Sequence, residues 1–382
     1  MLLRAEFVML ARQDGANVRG LCRRYGISAQ TGYKWLGRLA SDPEESFADR
    51  SRRPHSSPGR TPAAVEAKVL ALRAAHPSWG GRKLARRLHD LGEARVPAPS
   101  TITEILRRHD RLDRSQQSKQ HAMTRFERAQ PNALWQVDFK GHFAHDAGRC
   151  HPLTLLDDCS RFSLCLAACA NERGATVKAS LVKTFERYGL PERMLFDNGT
   201  PWGNGPGNSP YTALGVWLLR LGIAISHSRP YHPQTLGKDE RFHRSLKAEV
   251  LQGRRFRDLD HCQKAFTAWR HVYNLERPHE ALDMAVPASR YQPSARAYPA
   301  SLPAIEYAPA DRVRKVQHGG RVDFMGKTWR LSKAFCGYPI ALRPTQNDGL
   351  WSIFFMTHKI AQIDMRQTEN QLKCVNHVPE HL

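Results

Sequence analysis

Apolar residues recur with helical spacing through residues 4–40. The spacing predicts a short helix over 18–25, a turn at Gly26, and a second helix that begins after Ser28 and extends to Leu39. Serine is a favourable N-cap, and two short helices around a tight turn are typical of a helix-turn-helix, although a generic helical hairpin has the same pattern. Three residues on the outward face of the second helix could reach a DNA groove or its phosphates: Gln30, Lys34 and Arg38.

A second set of helical segments occupies residues 63–112. Its middle segment, 81–91, places four basic residues beside two leucines, which predicts a second helix-turn-helix, with solvated basic helices as the alternative. The candidate DNA contacts on this segment are Arg82, Lys83, Arg86 and Arg87. The segment 42–62 is rich in Pro, Ser and Arg and predicts a basic linker, and the polar segment 113–130 predicts a connector.

Across residues 131–295 the helical spacing gives way to strands and helices in turn. Residues 134–143 alternate like a strand, 151–170 read as two strands joined by a turn, 174–188 as a helix, and 193–196 as a short buried strand. Further helices and one short strand follow. Three consecutive strands, a helix, a strand and more helices predict a mixed α/β domain of the ribonuclease H type.

The segment 229–249 leads from hydrogen-bonding side chains into an amphipathic helix. The apolar face of that helix carries Phe242, Leu246 and Val250. The charged face carries Glu240, Arg244 and Lys247. By itself this pattern is also that of an ordinary solvated helix with charge pairs.

Residues 311–366 change character again, into short strands separated by turn signals such as Asp348-Gly349. Five or six short strands in a segment of this length predict a small β-barrel, which could serve DNA contact or subunit assembly. The last segment, 367–382, is expected to be a tail.

Charge points to the class of partner. The chain has 58 Lys and Arg against 36 Asp and Glu, a formal charge of +22, which favours nucleic acid first and an acidic membrane surface second. No apolar run reaches the roughly 18 residues of a membrane span. The 8 cysteines lack zinc-ligand spacing, so we expect a reduced, cytosolic protein.

Three carboxylates stand at predicted element ends in the central domain: Asp138, Asp197 and Glu240. Oxygen ligands without Cys or a convergent His set suit Mg²⁺ or Mn²⁺ rather than zinc. Two such ions would activate a nucleophile and stabilise a leaving 3′-oxygen in phosphodiester displacement.

Three segments resemble the signature motifs of the DDE transposase and retroviral integrase superfamily: WQVDF, LFDNGTPWG and YHPQTLGKDERFHRSLKAE. The likeness is to bacterial insertion-sequence transposases, and FADRSRRPHSSP and DNGTPWG resemble the insertion-sequence 481 group. The motifs occur in the family's order, and the likeness covers nearly the whole chain.

The resemblance implies a multidomain protein with helix-turn-helix modules, an α/β ribonuclease H-like catalytic core and a small C-terminal β-barrel. The domains expected are a helix-turn-helix at 1–41, a linker at 42–62, a second helix-turn-helix at 63–112, a connector at 113–130, an integrase catalytic core at 131–295, a barrel at 311–366 and a tail at 367–382.

The resemblance also assigns roles to residues. It implies that Asp138, Asp197 and Glu240 hold two Mg²⁺ or Mn²⁺ ions per active site, while Asp239 is the nearest rival to Glu240 as the third ligand. Residues implied to contact DNA or border the active site are Arg244, Lys247, Tyr231, His232 and Gln234. Asp157 and Asp158 also resemble family positions, but we interpret them as capping a strand turn.

The function implied is a DNA transposase that binds the inverted-repeat ends of its element, cleaves phosphodiester bonds and transfers the 3′ end into target DNA. Its partner would be double-stranded DNA, not a membrane, and it would act as a homodimer or higher oligomer in a bacterial cytoplasm, associated with the nucleoid. A DNA-binding regulator with an inactive core is the alternative. The segment between Asp197 and Glu240 is longer than is usual in the family.

Overall fold

The computed structural model describes residues 2–41, 59–112, 127–203, 209–228, 237–367 and 372–374. The chain forms two compact units, Met1–Thr61 and Pro62–Leu382. The second helix-turn-helix, the predicted core and the C-terminal strands therefore lie in one unit, and the expected boundaries between them remain predictions.

The first unit consists of three helices: α1 (Leu2–Ala11), α2 (Val18–Arg24) and α3 (Ala29–Ser41). As predicted, the Ser28 hydroxyl caps α3 by accepting from the Thr31 backbone N–H at 3.1 Å. Phe7 and Cys22 are buried between the helices, and Gly32 lets α3 approach them, since a Cβ there would lie 2.4 Å from the Cys22 sulfur. The predicted helix-turn-helix packing is confirmed.

The second unit opens with α4 (Ala63–Ala75), α5 (Gly81–Asp90) and α6 (Pro99–Arg108). These helices share a small core that includes Trp79, Leu84 and Ile105, all fully buried. Val272, from the central domain, packs against the same cluster. The module is therefore seated on the central domain.

A mixed sheet forms the centre of the second unit. Its strands are β1 (Trp135–Phe139), β2 (Phe143–His145), β3 (Gly148–Asp157), β4 (Ser163–Cys169), β5 (Arg193–Phe196) and β6 (Ala224–His227). β1 pairs antiparallel with β3, which also pairs with β2 and β4, whereas β1–β5 and β5–β6 are parallel. Four strands with antiparallel pairing, β1 to β4, followed by two parallel ones agree with the predicted ribonuclease H-like α/β core.

Four helices cover the sheet: α7 (Gly174–Tyr188), α8 (Ala213–Arg220), α9 (Gly237–Leu246) and α10 (Leu259–Leu275). The chain continues from α9 through a π-helical turn, Lys247–Leu251. Phe242, Leu246 and Val250 are buried, as their spacing predicted, and pack in one cluster with residues of α10 such as Phe266. That apolar stripe seats α9 against the domain.

The C-terminal strands are β7 (Arg312–Lys315), β8 (Arg321–Phe324), β9 (Lys327–Arg330), β10 (Pro339–Pro344), β11 (Leu350–Phe355), β12 (His358–Asp364) and β13 (Leu372–Cys374). Five of them form a sheet in the order β13-β12-β11-β10-β7, and β8 and β9 form a separate hairpin. The predicted closed barrel is not what the described strands form, because no pairing joins β7 to β13. Moreover, β13 lies within the segment expected to be a tail.

Tyr211 joins this sheet to the central domain. Its hydroxyl donates to the Ile360 carbonyl at 2.9 Å, and its own carbonyl accepts from the Ser332 hydroxyl at 3.0 Å. Apolar residues of both regions belong to one continuous cluster.

Most of the predicted linker and connector lies outside the described residues. Within the described part of the chain, no helix is long and apolar enough to cross a membrane.

Candidate active site

Two of the predicted acids meet because of strand register. β1 and β5 are parallel neighbours with Trp135 opposite Met194 and Gln136 opposite Leu195. Continuing that register by two residues places Asp138 level with Asp197, at the carboxyl ends of strands that are about 4.8 Å apart. The sequence predicted both acids, and the parallel pairing brings them together.

At the same place, burial and neighbouring acids oppose the ionisation of both carboxyl groups. Burial, followed by the carboxylate of Asp197, raises the pKa of Asp138 to about 7, and Glu172 and Glu240 act in the same direction. Burial also raises the pKa of Asp197. Glu172, in the loop between β4 and α7, accepts from Nδ1 of His151 at 2.8 Å and is an acid that the sequence analysis missed.

The loop after Asp197 folds back on the strand ends. The Gly199 backbone N–H donates to the Asp197 carboxylate at 3.0 Å, and the buried His227 contacts the Asp197 carbonyl through Nδ1 at 2.9 Å. Trp202 stacks on Phe196 with ring centroids 4.9 Å apart and also contacts Phe139. Aromatic packing thus supports both strand ends beneath the acids.

Helix α9 supplies the third predicted acid. Glu240 is exposed, whereas Asp239 is fully buried, and neither of its carboxylate oxygens has a hydrogen-bond partner in the described part of the chain. Burial, followed by the charge of Asp138, raises the pKa of Asp239 well above its usual range, which favours a neutral carboxylic acid. The charge of Glu240 raises the pKa of Asp138, and the charge of Asp138 raises the pKa of Asp239. Either acid is therefore close enough to interact with Asp138, and the choice of Glu240 as the third ligand stays a prediction.

Two polar contacts hold α9 against the sheet. Lys238 pairs with the buried Asp158. One turn further on, His243 Nε2 lies 2.9 Å from the hydroxyl of Thr154, which itself donates to the Asp138 carbonyl at 2.9 Å. Burial, followed by the charge of Lys140, lowers the pKa of His243 to about 4.

Asp157 caps the strand turn as the sequence analysis expected, whereas the carboxylate of Asp158 contacts residues outside that turn. Asp157 accepts from the Ser160 backbone N–H at 2.8 Å and from the Asn132 backbone N–H at 2.7 Å. Asp158 accepts from the Gln136 amide at 2.7 Å in addition to its ion pair with Lys238. Their oxygens are therefore engaged in structure.

The donor set suits a hard divalent cation. Carboxylates that raise one another's pKa are stabilised by a cation between them, and oxygen ligands suit Mg²⁺ or Mn²⁺. Among the residues that the structure describes, however, no three His, Cys, Asp or Glu side chains are already arranged to hold a metal ion. Glu240, the acid predicted to complete the set, is exposed on α9.

Several predicted DNA contacts are accessible. Gln30 and Lys34 are exposed on α3 and Arg38 is half-buried, while Arg244 and Lys247 are exposed beyond Glu240. Tyr231, His232 and Gln234 lie outside the described residues.

The basic residues of α5 face acids instead. Arg87 pairs with Glu276 at 2.6 Å, and Arg82 approaches Glu280 at 3.7 Å. Burial lowers the pKa of Lys83 to about 7. Arg86 pairs with Asp90 in its own helix at 2.7 Å. Arg82 and Arg87 thus face the central domain, and the DNA contacts of all four stay predictions.

Helix α6, predicted to begin at Thr101 with a capping box to Glu104, begins instead at Pro99 without a side-chain cap, and its first turn is exposed. Ser100 and Thr101 are exposed, while Ile102 and Ile105 are buried against α4 and α5. In a three-helix DNA-binding module of this kind the last helix presents its N-terminal residues to the groove. The signal in the sequence was the Ile102, Ile105 and Leu106 spacing, which leaves Thr101 on the outer face.

Comparison with domain families gives matches along most of the chain. The matches are a helix-turn-helix domain (3–55), a homeodomain-like domain (31–106), integrase core domains (128–233 and 221–287), and the C-terminal domain of IS481 family transposases (311–371).

Two proteins of bacterial insertion elements are similar in sequence to this chain. The insertion element IS407 uncharacterized 31.7 kDa protein of Burkholderia multivorans is 25% identical over 230 residues, which cover 58% of this chain and 80% of that protein. The insertion element IS476 uncharacterized 39.2 kDa protein of Xanthomonas euvesicatoria is 27% identical over 241 residues, covering 61% and 66%. A chain of the simian T-cell lymphotropic virus intasome in complex with PP2A regulatory subunit B56 gamma matches at 16% identity and a TM-score of 0.36, covering 80% of this chain and 98% of that one.

The chain thus matches helix-turn-helix domains, integrase core domains and the C-terminal domain of IS481 family transposases, which agrees with the resemblance to insertion-sequence transposases. An integrase core together with helix-turn-helix domains defines a polynucleotidyl transferase type of enzyme that acts on DNA.

Proposed function

We propose that this protein binds the inverted-repeat ends of its own element, cleaves a phosphodiester bond there and joins the freed 3′ end to target DNA. The observation that supports this most is the level placement of Asp138 and Asp197 on parallel strands within the integrase-core match. Glu240, on the helix seated beside them, is proposed as the third acid.

The metal assignment follows from the same residues. Asp138, Asp197 and Glu240 would hold two Mg²⁺ or Mn²⁺ ions, which supply nucleophile activation and charge stabilisation at the leaving oxygen. The raised pKa of Asp138 supports this, because a cation there would relieve the repulsion among the acids.

Residues on different helices would contact different parts of the DNA. Arg244 and Lys247 are exposed one and two turns beyond Glu240, where they would contact phosphates of the end being cut. The exposed face of α3 and the first turn of α6 would read the terminal repeat. Two ends must be paired in transposition, so we propose a dimer or higher oligomer on DNA, in the cytoplasm.

The triad is tested with Asp197→Asn and Glu240→Gln. Each should reduce Mg²⁺-dependent nicking of plasmid DNA that carries the element's ends by at least about 100-fold, because each removes a charged ligand. Binding to an end-containing duplex should stay within about 2-fold, since the proposed reading helices are unchanged. The matched control is Glu186→Gln, which neutralises an exposed acid on α7 and should leave nicking intact.

The possible results separate the functions. Full activity in Glu240→Gln with loss in Asp239→Asn would move the third ligand by one residue. Tight DNA binding by the wild-type protein without any metal-dependent nicking would identify a DNA-binding regulator instead.

A further inference from the structure

A chain of hydrogen bonds runs from helix α9 to strand β1. Thr154 is paired opposite Asp138 in the β1–β3 register and is fully buried. Its hydroxyl donates to the Asp138 backbone carbonyl at 2.9 Å, and Nε2 of His243 lies 2.9 Å from the same hydroxyl oxygen.

The donors along this chain can be assigned from valence. A threonine hydroxyl has one proton, and a carbonyl oxygen can only accept. The Thr154 proton therefore points to Asp138, so that His243 must donate to Thr154 through Nε2–H. The other ring nitrogen, Nδ1, lies 4.0 Å from a carboxylate oxygen of Asp138.

These hydrogen bonds link helix α9, which carries Glu240, to strand β1, which carries Asp138. His243 is three residues beyond Glu240 and lies on the same side of α9, while Asp138 is the residue whose carbonyl is bound. We propose that Thr154 and His243 are positioning residues that fix the separation between Glu240 and the Asp138–Asp197 pair and thereby set the affinity for divalent metal. The proposal rests on the proposed function of these three acids.

Apolar packing alone would leave the position of α9 along its axis less well fixed. Phe242 contacts Trp269 and Tyr273 with ring centroids 5.2 and 4.8 Å away, but apolar burial is not directional and tolerates small shifts along the helix axis. The Lys238–Asp158 pair holds the start of the helix. The His243–Thr154 hydrogen bond, one turn further on, is directional and fixes the helix where Glu240 projects.

The test measures Mn²⁺ binding to the full chain by electron paramagnetic resonance of the free ion, so it does not depend on catalysis. Thr154→Val and His243→Leu each break the chain while keeping side-chain volume similar, and each should weaken Mn²⁺ binding by about 10-fold. Thr154→Ser and His243→Gln keep a hydroxyl and a donor at comparable positions and should stay within about 3-fold of wild type. The double variant Thr154→Val/His243→Leu should be no weaker than the weaker single variant, because both act through one chain.

Controls separate this proposal from general damage and from failure of the metal site. Thr184→Val removes another buried hydroxyl, one that bonds within α7 to the Ser180 carbonyl, and should leave Mn²⁺ binding unchanged. If Asp138→Asn and Glu240→Gln bind Mn²⁺ as wild type does, the proposed function itself is wrong. If those two lose Mn²⁺ but Thr154→Val keeps it, or if the two broken-chain variants add their effects, only the positioning role is overturned.

Discussion

At the scale of single residues, Asp138 is held in an environment that opposes its own charge. Burial raises its pKa to about 7, and three neighbouring acids add to the effect, whereas an unfolded chain would leave the pKa near its ordinary value. The folded protein therefore binds a proton at this residue that the unfolded chain has released between about pH 4 and 7. Without metal, Asp138 makes the fold less stable as pH rises through that window.

Asp138→Asn is therefore expected to stabilise the metal-free protein above pH 7. Removal of the buried charge should raise the free energy of unfolding by on the order of 2 kcal/mol at pH 8, with no gain at pH 4. Urea unfolding at both pH values, with a chelator present, measures this. The matched substitution Asp146→Asn, of an exposed acid, should show no such pH-dependent gain. Equal gains at both pH values for Asp138→Asn would contradict the electrostatic cause.

At the scale of elements, helices α5 and α6 of the second helix-turn-helix module differ in what their side chains face. α5 is the more basic helix, but Arg87 pairs with Glu276, and Ser78, just before α5, donates to Glu249 at 2.8 Å. α6 is less basic, and its first turn is exposed. Charge along a helix therefore predicts that it has anionic neighbours, not whether those neighbours are carboxylates or phosphates.

Thr101→Glu tests this division of roles. A carboxylate in the exposed first turn of α6 would repel DNA, so affinity for a mixed-sequence duplex should fall about 10-fold at fixed salt. Arg87→Gln should leave affinity within about 2-fold and lower the melting temperature, because it breaks a half-buried ion pair. Fluorescence anisotropy and thermal unfolding measure the two effects, and a stronger loss of DNA binding in Arg87→Gln than in Thr101→Glu would place α5 on the DNA.

At the scale of the whole second unit, the C-terminal sheet shares its apolar core with the ribonuclease H-like domain. Tyr211 lies at that junction, where it bonds to Ile360 and contacts Phe335 with ring centroids 5.2 Å apart. A continuous core couples the stability of the two regions.

Tyr211→Phe is expected to destabilise both regions together. Loss of the hydroxyl leaves the Ile360 carbonyl without its partner, which costs about 1–2 kcal/mol. Calorimetry should show one transition at a lower temperature rather than two. Tyr307→Phe serves as the comparison, because that hydroxyl bonds to the Pro339 carbonyl within the C-terminal region. A C-terminal transition that separates from the rest in Tyr211→Phe alone would contradict the shared core.

Much of the site could be predicted from local pattern. The strand before Asp197, the apolar stripe of Phe242, Leu246 and Val250, and the Ser28 cap all depend on residues close together in the chain, and the structure confirms them. Local periodicity reports which face of an element is buried, so such features follow from the sequence.

What the sequence left open depends on contacts between distant residues. Asp138 and Asp197, which lie level on neighbouring strands, are 59 positions apart in the chain. The hydrogen bond between Thr154 and His243 joins residues 89 positions apart, and the ion pair of Arg87 with Glu276 joins residues 189 positions apart. Strand register and the partner of a buried face are set by packing of the whole unit, because a single pattern fits several neighbours. By itself the sequence determined most of the elements, the chemistry of the acids and the polyanionic class of partner. Only the tertiary structure decided which strand ends lie level, which basic side chains pair with protein carboxylates, and that the described C-terminal strands pair in an open sheet.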